Sequence, residues 1–135
     1  GPTLDNEAPS ANNDSIVLRI KFGERSFLFT GDLESAGEAA VIRGEEHLHA
    51  DVVKVGHHGS KTSSTAMFVN AVHPAFAIIS VGQRSMFGHP NKEVVERWRM
   101  TGATVLTTGN CGTITVSTNG NDLRLETLVP CQDKL

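Results

Sequence analysis

The stretch Asp51-Val52-Val53-Lys54-Val55-Gly56-His57-His58-Gly59-Ser60-Lys61 joins a short apolar strand to an abrupt polar bend. Its β-branched residues favour an extended backbone, and Gly56 and Gly59 permit a tight turn where the strand leaves the sheet. We therefore expect both imidazoles on a bend at the carboxyl end of a strand, where open α/β sheets place their ligands.

A second stretch, Arg25-Ser26-Phe27-Leu28-Phe29-Thr30, ends in the same manner in Gly31-Asp32. A carboxylate has two oxygens and can bridge two cations about 3.5–4 Å apart, as two-metal hydrolases require. An isolated Gly-Asp pair is also typical of a helix cap. Because the aspartate is paired with an imidazole on a similar bend, the pattern favours a metal site with Asp32 and His57 as ligands.

Adjacent residues on one bend point in different directions, so only one of the two histidines is expected to bind metal. We predict that His57 is the ligand and that His58 supports it or contacts the substrate. Ser60 and Lys61 follow, where a helix start and a positive charge favour anions, which predicts a phosphate site. Hydrogen-bonded histidines in a polar turn and a solvated lysine are the alternative interpretation.

His89 stands in Phe87-Gly88-His89-Pro90, a loop that precedes a helix capped by Asn91. If the ends of successive strands converge, this loop overhangs Asp32 and His57. His89 is then a candidate catalytic proton donor to a leaving group, or a phosphate ligand. A packing role at the start of the helix is the alternative.

The stretch His47-Leu48-His49-Ala50-Asp51 resembles an H-x-H-x-D metal motif, but its position argues against that role. Asp51 begins the strand that His57 ends, and six extended residues span roughly 20 Å. We therefore interpret this stretch as a solvated connection at the opposite end of the sheet.

The 135 residues suffice for one domain, and the formal net charge of −3 predicts no general attraction for nucleic acid. The sequence predicts neither a transmembrane segment nor a signal peptide. Cys111 and Cys131 are too few for a disulfide framework and lack metal-site spacing, so Cys111 is predicted to be a small core residue.

Residues 1–14 are predicted to be an extended lead-in, residues 15–129 one folded unit and residues 130–135 a tail. A hairpin of strands 15–22 and 25–30 is followed by strand–helix alternation, which predicts a mostly parallel sheet. Asn119-Gly120 between alternating stretches predicts a closing hairpin. The apolar run 76–81 is predicted to be a strand covered on both faces.

Three helices are predicted between the strands. The first covers residues 34–43 and stops at Gly44. The second is capped by Ser63 or Ser64, and the third by Asn91. Their predicted inward-facing residues are Met67, Phe68, Ala71 and Val72 in the second helix, and Val94, Val95 and Trp98 in the third.

With these motifs in order, the sequence resembles the metallo-β-lactamase superfamily, and within it the soluble hydrolase domain of the ComEC-type DNA-uptake (competence) proteins and its free-standing relatives. Residues 12–15, 29–34, 50–60 and 87–91 carry the resemblance, which runs from about residue 12 to residue 128. It implies an αββα sandwich, two zinc ions (manganese in some relatives) and hydroxide attack on a phosphodiester or other ester. Asp32 resembles the bridging carboxylate, His57 the last histidine ligand, and His89 a histidine typical of this branch.

The H-x-H-x-D-H cluster that defines the superfamily is absent from the chain. The chain therefore resembles the carboxyl-terminal half of the sandwich, an α/β unit whose mixed sheet has β-hairpins at both ends. Two protein ligands fall short of the three or four that hold zinc. We expect the chain alone to be inactive and to expose the sheet face meant for an amino-terminal half.

The resemblance thus implies part of a metal-dependent phosphodiesterase or nuclease acting on DNA, completed by an amino-terminal half that carries the missing cluster. A hydrolase of another ester, such as a phosphorylcholine esterase or lactonase, is an alternative. A non-catalytic half-domain that binds a partner through its sheet face is another. The compartment is either extracytoplasmic, as part of a membrane DNA-uptake protein, or cytoplasmic.

Overall fold

The computed structural model describes residues 3–6, 16–44, 47–82 and 90–131. The described chain forms a six-stranded mixed sheet and a separate two-stranded sheet, with helices between the strands. The strands of the large sheet are β1 (Thr3–Asn6), β2 (Ile16–Phe22), β3 (Arg25–Phe29), β4 (Val52–Lys54), β5 (Phe76–Ile79) and β6 (Thr104–Thr107). The hairpin strands are β7 (Ile114–Thr118) and β8 (Leu123–Thr127), and the helices are α1 (Ser35–Gly44), α2 (Ala66–Val72), α3 (Lys92–Arg99) and α4 (Thr108–Cys111).

The large sheet follows the order of the chain, from β1 to β6. The pairs β1–β2 and β2–β3 are antiparallel, whereas β3 to β6 run parallel, so their carboxyl ends meet at one edge. The predicted mixed sheet with hairpins at both ends is confirmed. Strand β1 lies within the predicted lead-in and was not predicted.

One face of the large sheet packs against the helices. Strands β3 to β6 each contribute one residue to a row that is in register across the sheet, and each of these residues is at most 7% exposed: Leu28, Val53, Ala77 and Val105. Above them, the rings of Phe68 and Trp98 meet edge to face, with centroids 6.5 Å apart. The strand alternation therefore directs every second residue into one continuous core.

The prediction for the second helix is wrong in two details. Thr65, rather than Ser63 or Ser64, is the N-cap, because both serines are buried and bonded elsewhere. Met67 is 69% exposed, and Val69 lies in the core instead.

The third helix begins as predicted. The side-chain oxygen of Asn91 accepts hydrogen bonds from the amides of Glu93 and Val94. Val95 and Trp98 are buried on its inner side.

Cys111 is buried, as predicted, but the expectation that it behaves as a free cysteine is wrong. It is buried at the end of α4, but its sulfur is bonded to Cys131, 20 residues along the chain. The bond encloses the whole β7–β8 hairpin. Two isolated cysteines give no framework pattern, so only the fold reveals that the chain returns to α4.

The opposite face of the large sheet is apolar and only partly covered. The hairpin lies over part of it, leaving a groove of about 300 Å³ lined by Phe27, Phe29, Ile78, Ile114 and Val116, with Lys54. On the same face, Ile16 and Phe22 are more than half exposed, although the ring of Phe22 lies beside Gly120 in the hairpin turn. The run predicted to be covered on both faces forms a shorter strand, in which Phe76 and Ile78 are only partly buried.

Within the ranges described above, no helix is long and apolar enough to cross a bilayer. His89, residues 12–15 and the greater part of the 87–91 motif lie outside the described residues.

Candidate functional site

Two tight turns meet at the carboxyl ends of β3 and β4. The aspartate turn (residues 30–33) contains Gly31 with φ of +56°, and the histidine turn is Gly56–Gly59. The amide of His57 donates a 2.9 Å hydrogen bond to the carbonyl of Gly31. Asp32, the next residue along the chain, is therefore a spatial neighbour of His57.

Gly56 is required at this junction because a side chain would not fit there, and not because its backbone is left-handed. A Cβ atom at Gly56 would lie 2.8 Å from the hydroxyl oxygen of Thr30 and 3.3 Å from the carbonyl oxygen of Gly31. Those distances are shorter than van der Waals contact, so a larger residue would force the two turns apart.

His57 and His58 both adopt a left-handed backbone, with φ of 51° and 52°. This conformation is uncommon for residues other than glycine and costs of order 1–3 kcal/mol at each position. Such strain is found where surrounding structure fixes a functional geometry. Here the hydrogen bond to Gly31 and the crowded Gly56 provide that constraint.

The two imidazoles have different partners, as predicted for adjacent residues on a bend. Nδ1 of His57 lies 3.1 Å from the hydroxyl of Thr62 and 3.9 Å from a carboxylate oxygen of Glu34. Nδ1 of His58 lies 2.7 Å from the carbonyl of Ser80, to which it donates. Since a carbonyl can only accept, the Nε2 atom of neutral His58 is left as an acceptor.

The predicted phosphate residues fall into two groups. Lys61 and His58 are exposed beside the turn, whereas Ser60 is buried and its hydroxyl lies 3.1 Å from that of Thr62. Helix α2 begins only at Ala66, so Ser60 and Lys61 do not stand at a helix start as the sequence predicts.

The described end of the loop that carries His89 packs on the histidine turn. The amide of Asn91 donates to the carbonyl of Gly59, and a Cβ at Gly59 would meet Pro90 at 2.9 Å. His89 itself lies outside the described residues, so its predicted catalytic or phosphate-binding role stays a prediction.

The H-x-H-x-D stretch lies at the other end of β4. Asp51 accepts from the amide of Ser26 at 2.9 Å and pairs with Arg25 at 3.4 Å. Nδ1 of His49 lies 2.9 Å from the carbonyl of Val72. These contacts agree with the structural interpretation of this stretch.

Sequence reasoning missed Glu38, a buried carboxylate on α1. It accepts hydrogen bonds from the amides of Ser64 and Thr65 at 2.5 and 2.8 Å, in the loop that follows the histidine turn. Burial raises the pKa of this carboxyl group above its ordinary value, against the opposing effect of these hydrogen bonds and of Arg97. Glu38 lies three residues before Val41, so the two side chains share one side of α1. Because Val41 is apolar and lies on the buried side of α1, this spacing could have indicated that Glu38 is buried too.

Asp32 and His57 offer the oxygen and nitrogen donors that zinc takes in proteins. Among the residues that the structure describes, no three histidine, cysteine or acidic side chains converge on one point that could hold a metal ion. The two residues therefore fit part of a zinc site, and further ligands are needed to complete it.

No protein-family model matches the chain. The chain is 42% identical over 114 residues to ComE operon protein 3 of Bacillus subtilis (strain 168). It is 38% identical over 104 residues to Competence protein ComA of Neisseria gonorrhoeae, and 36% identical over 106 residues to Recombination protein 2 of Haemophilus influenzae. These alignments cover 82%, 76% and 78% of this chain but only 15%, 15% and 13% of the relatives.

Proposed function

This chain is related to one segment of a family of competence-related bacterial proteins, and from that premise we propose that it is part of a metal-dependent phosphodiesterase, a nuclease acting on DNA during uptake. The observation that carries the proposal is the 2.9 Å backbone hydrogen bond from His57 to Gly31, which joins the turns that carry His57 and Asp32 at one sheet edge. Perturbed or strained polar groups at the carboxyl ends of parallel strands are typical of active sites.

Asp32 and His57 would hold the metal ions, which are two zinc ions or, alternatively, manganese. When bound, such ions polarise the phosphoryl oxygen and lower the pKa of water. Thr62 lies against Nδ1 of His57, so Nε2 would be the ligand atom, oriented by the hydroxyl.

The remaining ligands would come from an amino-terminal half that carries the H-x-H-x-D-H cluster. The apolar sheet face supports this partner, because Ile16, Phe22 and Phe29 are 57%, 55% and 39% exposed. Two packed sheets bury such faces about 10 Å apart, and the two-stranded hairpin covers only part of this one.

A DNA phosphate would be bound by exposed cationic or polar groups around the turn. Lys61 is exposed there and can donate to a phosphate oxygen. His58 is also exposed, but its Nδ1 donates to Ser80, so Nε2 of the neutral ring would contact an N–H or O–H group of the substrate rather than a phosphate oxygen. Ser60 would act indirectly, by fixing Thr62. His89 keeps its proposed role as proton donor or phosphate ligand.

The Cys111–Cys131 bond bears on the compartment. Disulfides persist in oxidising surroundings and are rare in the cytosol. This favours the extracytoplasmic part of a membrane DNA-uptake protein over the cytoplasmic alternative.

A non-catalytic binding module is the second candidate function. It is favoured by the same open sheet face and by the absence of three converging metal-binding side chains within the described part of the chain. A hydrolase of another ester would share the metal site and differ only in its substrate.

Metal content and DNA cleavage distinguish these functions. The chain would be measured alone and when produced with the segment that precedes the equivalent region in the relatives. We expect zinc binding and cleavage only for the combination, with both lost in Asp32→Ala and His57→Ala and retained in His49→Ala at the far end of β4. About two zinc ions on the chain alone, or zinc binding without cleavage of any phosphodiester, would contradict the proposed nuclease.

A further inference from the structure

Glu38 is 2% exposed, and its carboxylate contacts the loop of residues 60–65. Its two oxygens each accept one backbone hydrogen bond, from Ser64 at 2.5 Å and from Thr65 at 2.8 Å. An ionised carboxylate accepts well on both oxygens, whereas protonation makes one oxygen a donor and weakens it as an acceptor. The ionised form therefore binds the two amides more strongly than the protonated form does.

Ser64 is held by two further groups from α3. Its carbonyl accepts from Arg97 at 2.6 Å, and its hydroxyl accepts from the indole N–H of Trp98 at 3.1 Å. Ser64 has φ of +60°, a conformation that a serine rarely adopts without such constraint. Glu38 thus fixes one end of the loop in a single, strained geometry.

The other end of the same loop contacts the histidine turn. The hydroxyl of Ser63 donates to the carbonyl of Gly56, and the hydroxyl of Thr62 lies 3.1 Å from Nδ1 of His57. The carbonyl of Thr62 also accepts from the amide of Ser35, at the start of α1. Thr62 therefore contacts the histidine turn through its side chain and the start of α1 through its backbone.

A buried carboxylate is a costly way to brace two helices, because desolvation opposes the charge. An apolar residue at this position of α1 would pack without that cost, although the two amides would then lack acceptors. The retained charge suits a site whose geometry must be fixed closely.

We infer that Glu38 is a positioning residue for His57: by binding the amides of Ser64 and Thr65, it fixes loop 60–65 and holds the hydroxyl of Thr62 against Nδ1, so that Nε2 faces the metal site. The inference rests on the proposed function. It is tested on the metal-free chain, so its failure is distinct from a failure of zinc binding or cleavage.

The readout is the ¹⁵N chemical shift of the two ring nitrogens of His57, which reports the populations of the neutral tautomers. In Glu38→Gln, one amide faces an NH₂ group instead of an oxygen. We expect the Nδ1–H tautomer to lose about half of its population relative to the wild-type chain. Thr62→Val should give the same loss, while the exchange protection of the Ser64 and Thr65 amides is unchanged.

Val105→Ala is the matched control, since it weakens the core on the same sheet without touching the loop. It should lower stability and leave the His57 ring unchanged. A wild-type ring spectrum in Glu38→Gln would overturn the inference and leave Glu38 as a helix brace only. If Glu38→Gln does not fold, Arg97→Gln replaces it, because it removes the hydrogen bond to the carbonyl of Ser64. An unchanged ¹⁵N spectrum of the His57 ring in Arg97→Gln would likewise contradict the inference.

Discussion

The amide of His57 and the carbonyl of Gly31 form a 2.9 Å hydrogen bond that ties the ends of β3 and β4 together. The bond depends on a close approach of two backbones, which the missing side chain of Gly56 permits. One turn supplies a carboxylate and the other an imidazole, so the geometry of the candidate site depends on this junction. Its disruption is the most direct structural test.

Gly56→Ala should destabilise the chain by about 1–3 kcal/mol, because its Cβ would overlap the hydroxyl of Thr30. Gly44→Ala is the matched control: apart from its chain neighbours and the backbone of its own helix, no atom of the described residues lies within 4 Å of its Cβ position, so stability should change by less than about 0.5 kcal/mol. Urea denaturation measures both. Equal urea denaturation midpoints for the two variants would mean that the close approach of the two turns does not require glycine at position 56.

The paired turns could be predicted from the sequence because glycine and strand-forming residues act locally. The burial of the row of residues from Leu28 to Val105 could also be predicted, because side chains alternate between the two faces along each strand. Strand β1 could not be predicted, since a polar stretch becomes a strand here only by pairing with β2. The partner of Cys111 and the burial of Glu38 also depend on distant parts of the chain, about which local patterns carry no information.

The Cys111–Cys131 bond should stabilise the chain by about 2–4 kcal/mol, since it constrains a loop of this size in the unfolded state. We expect Cys111→Ser with Cys131→Ser to show a correspondingly lower free energy of unfolding in urea. The control is the wild-type chain in a reducing agent, which should match the double variant. Mass spectrometry that finds two free thiols in the chain as isolated under oxidising conditions would contradict the bond.

Phe29→Ser should weaken binding of the proposed amino-terminal half by at least about tenfold, because a large aromatic side chain would be lost from the proposed interface. Phe29 lines the groove beside Ile78 and is 39% exposed. Met100→Ser is the control, as Met100 is 81% exposed after α3 and lies outside the sheet face. Calorimetric titration measures both. Equal affinities would show that the partner binds elsewhere.

The stability of the chain should depend on pH through Glu38, whose pKa is raised by burial above its ordinary 4.5. The folded-state value exceeds the unfolded one, so the contribution of Glu38 to stability is fully present below pH about 4.5 and is lost as pH rises through the folded pKa. Glu38→Gln cannot ionise and lacks this loss. The free energy of unfolding of wild type minus that of Glu38→Gln should therefore fall as pH rises above 4.5.

Urea denaturation of both chains at matched pH values measures this difference, in which the titration of other groups largely cancels. Arg97, the charged neighbour that opposes the upward shift, is retained in both chains. Arg97→Gln, introduced in both chains, should raise the pKa of Glu38 further and extend the fall to higher pH. A difference that is independent of pH, or that grows with pH, would mean that hydrogen bonds from Ser64 and Thr65 outweigh burial. In that case the ionised carboxylate would hold the loop at no cost in stability.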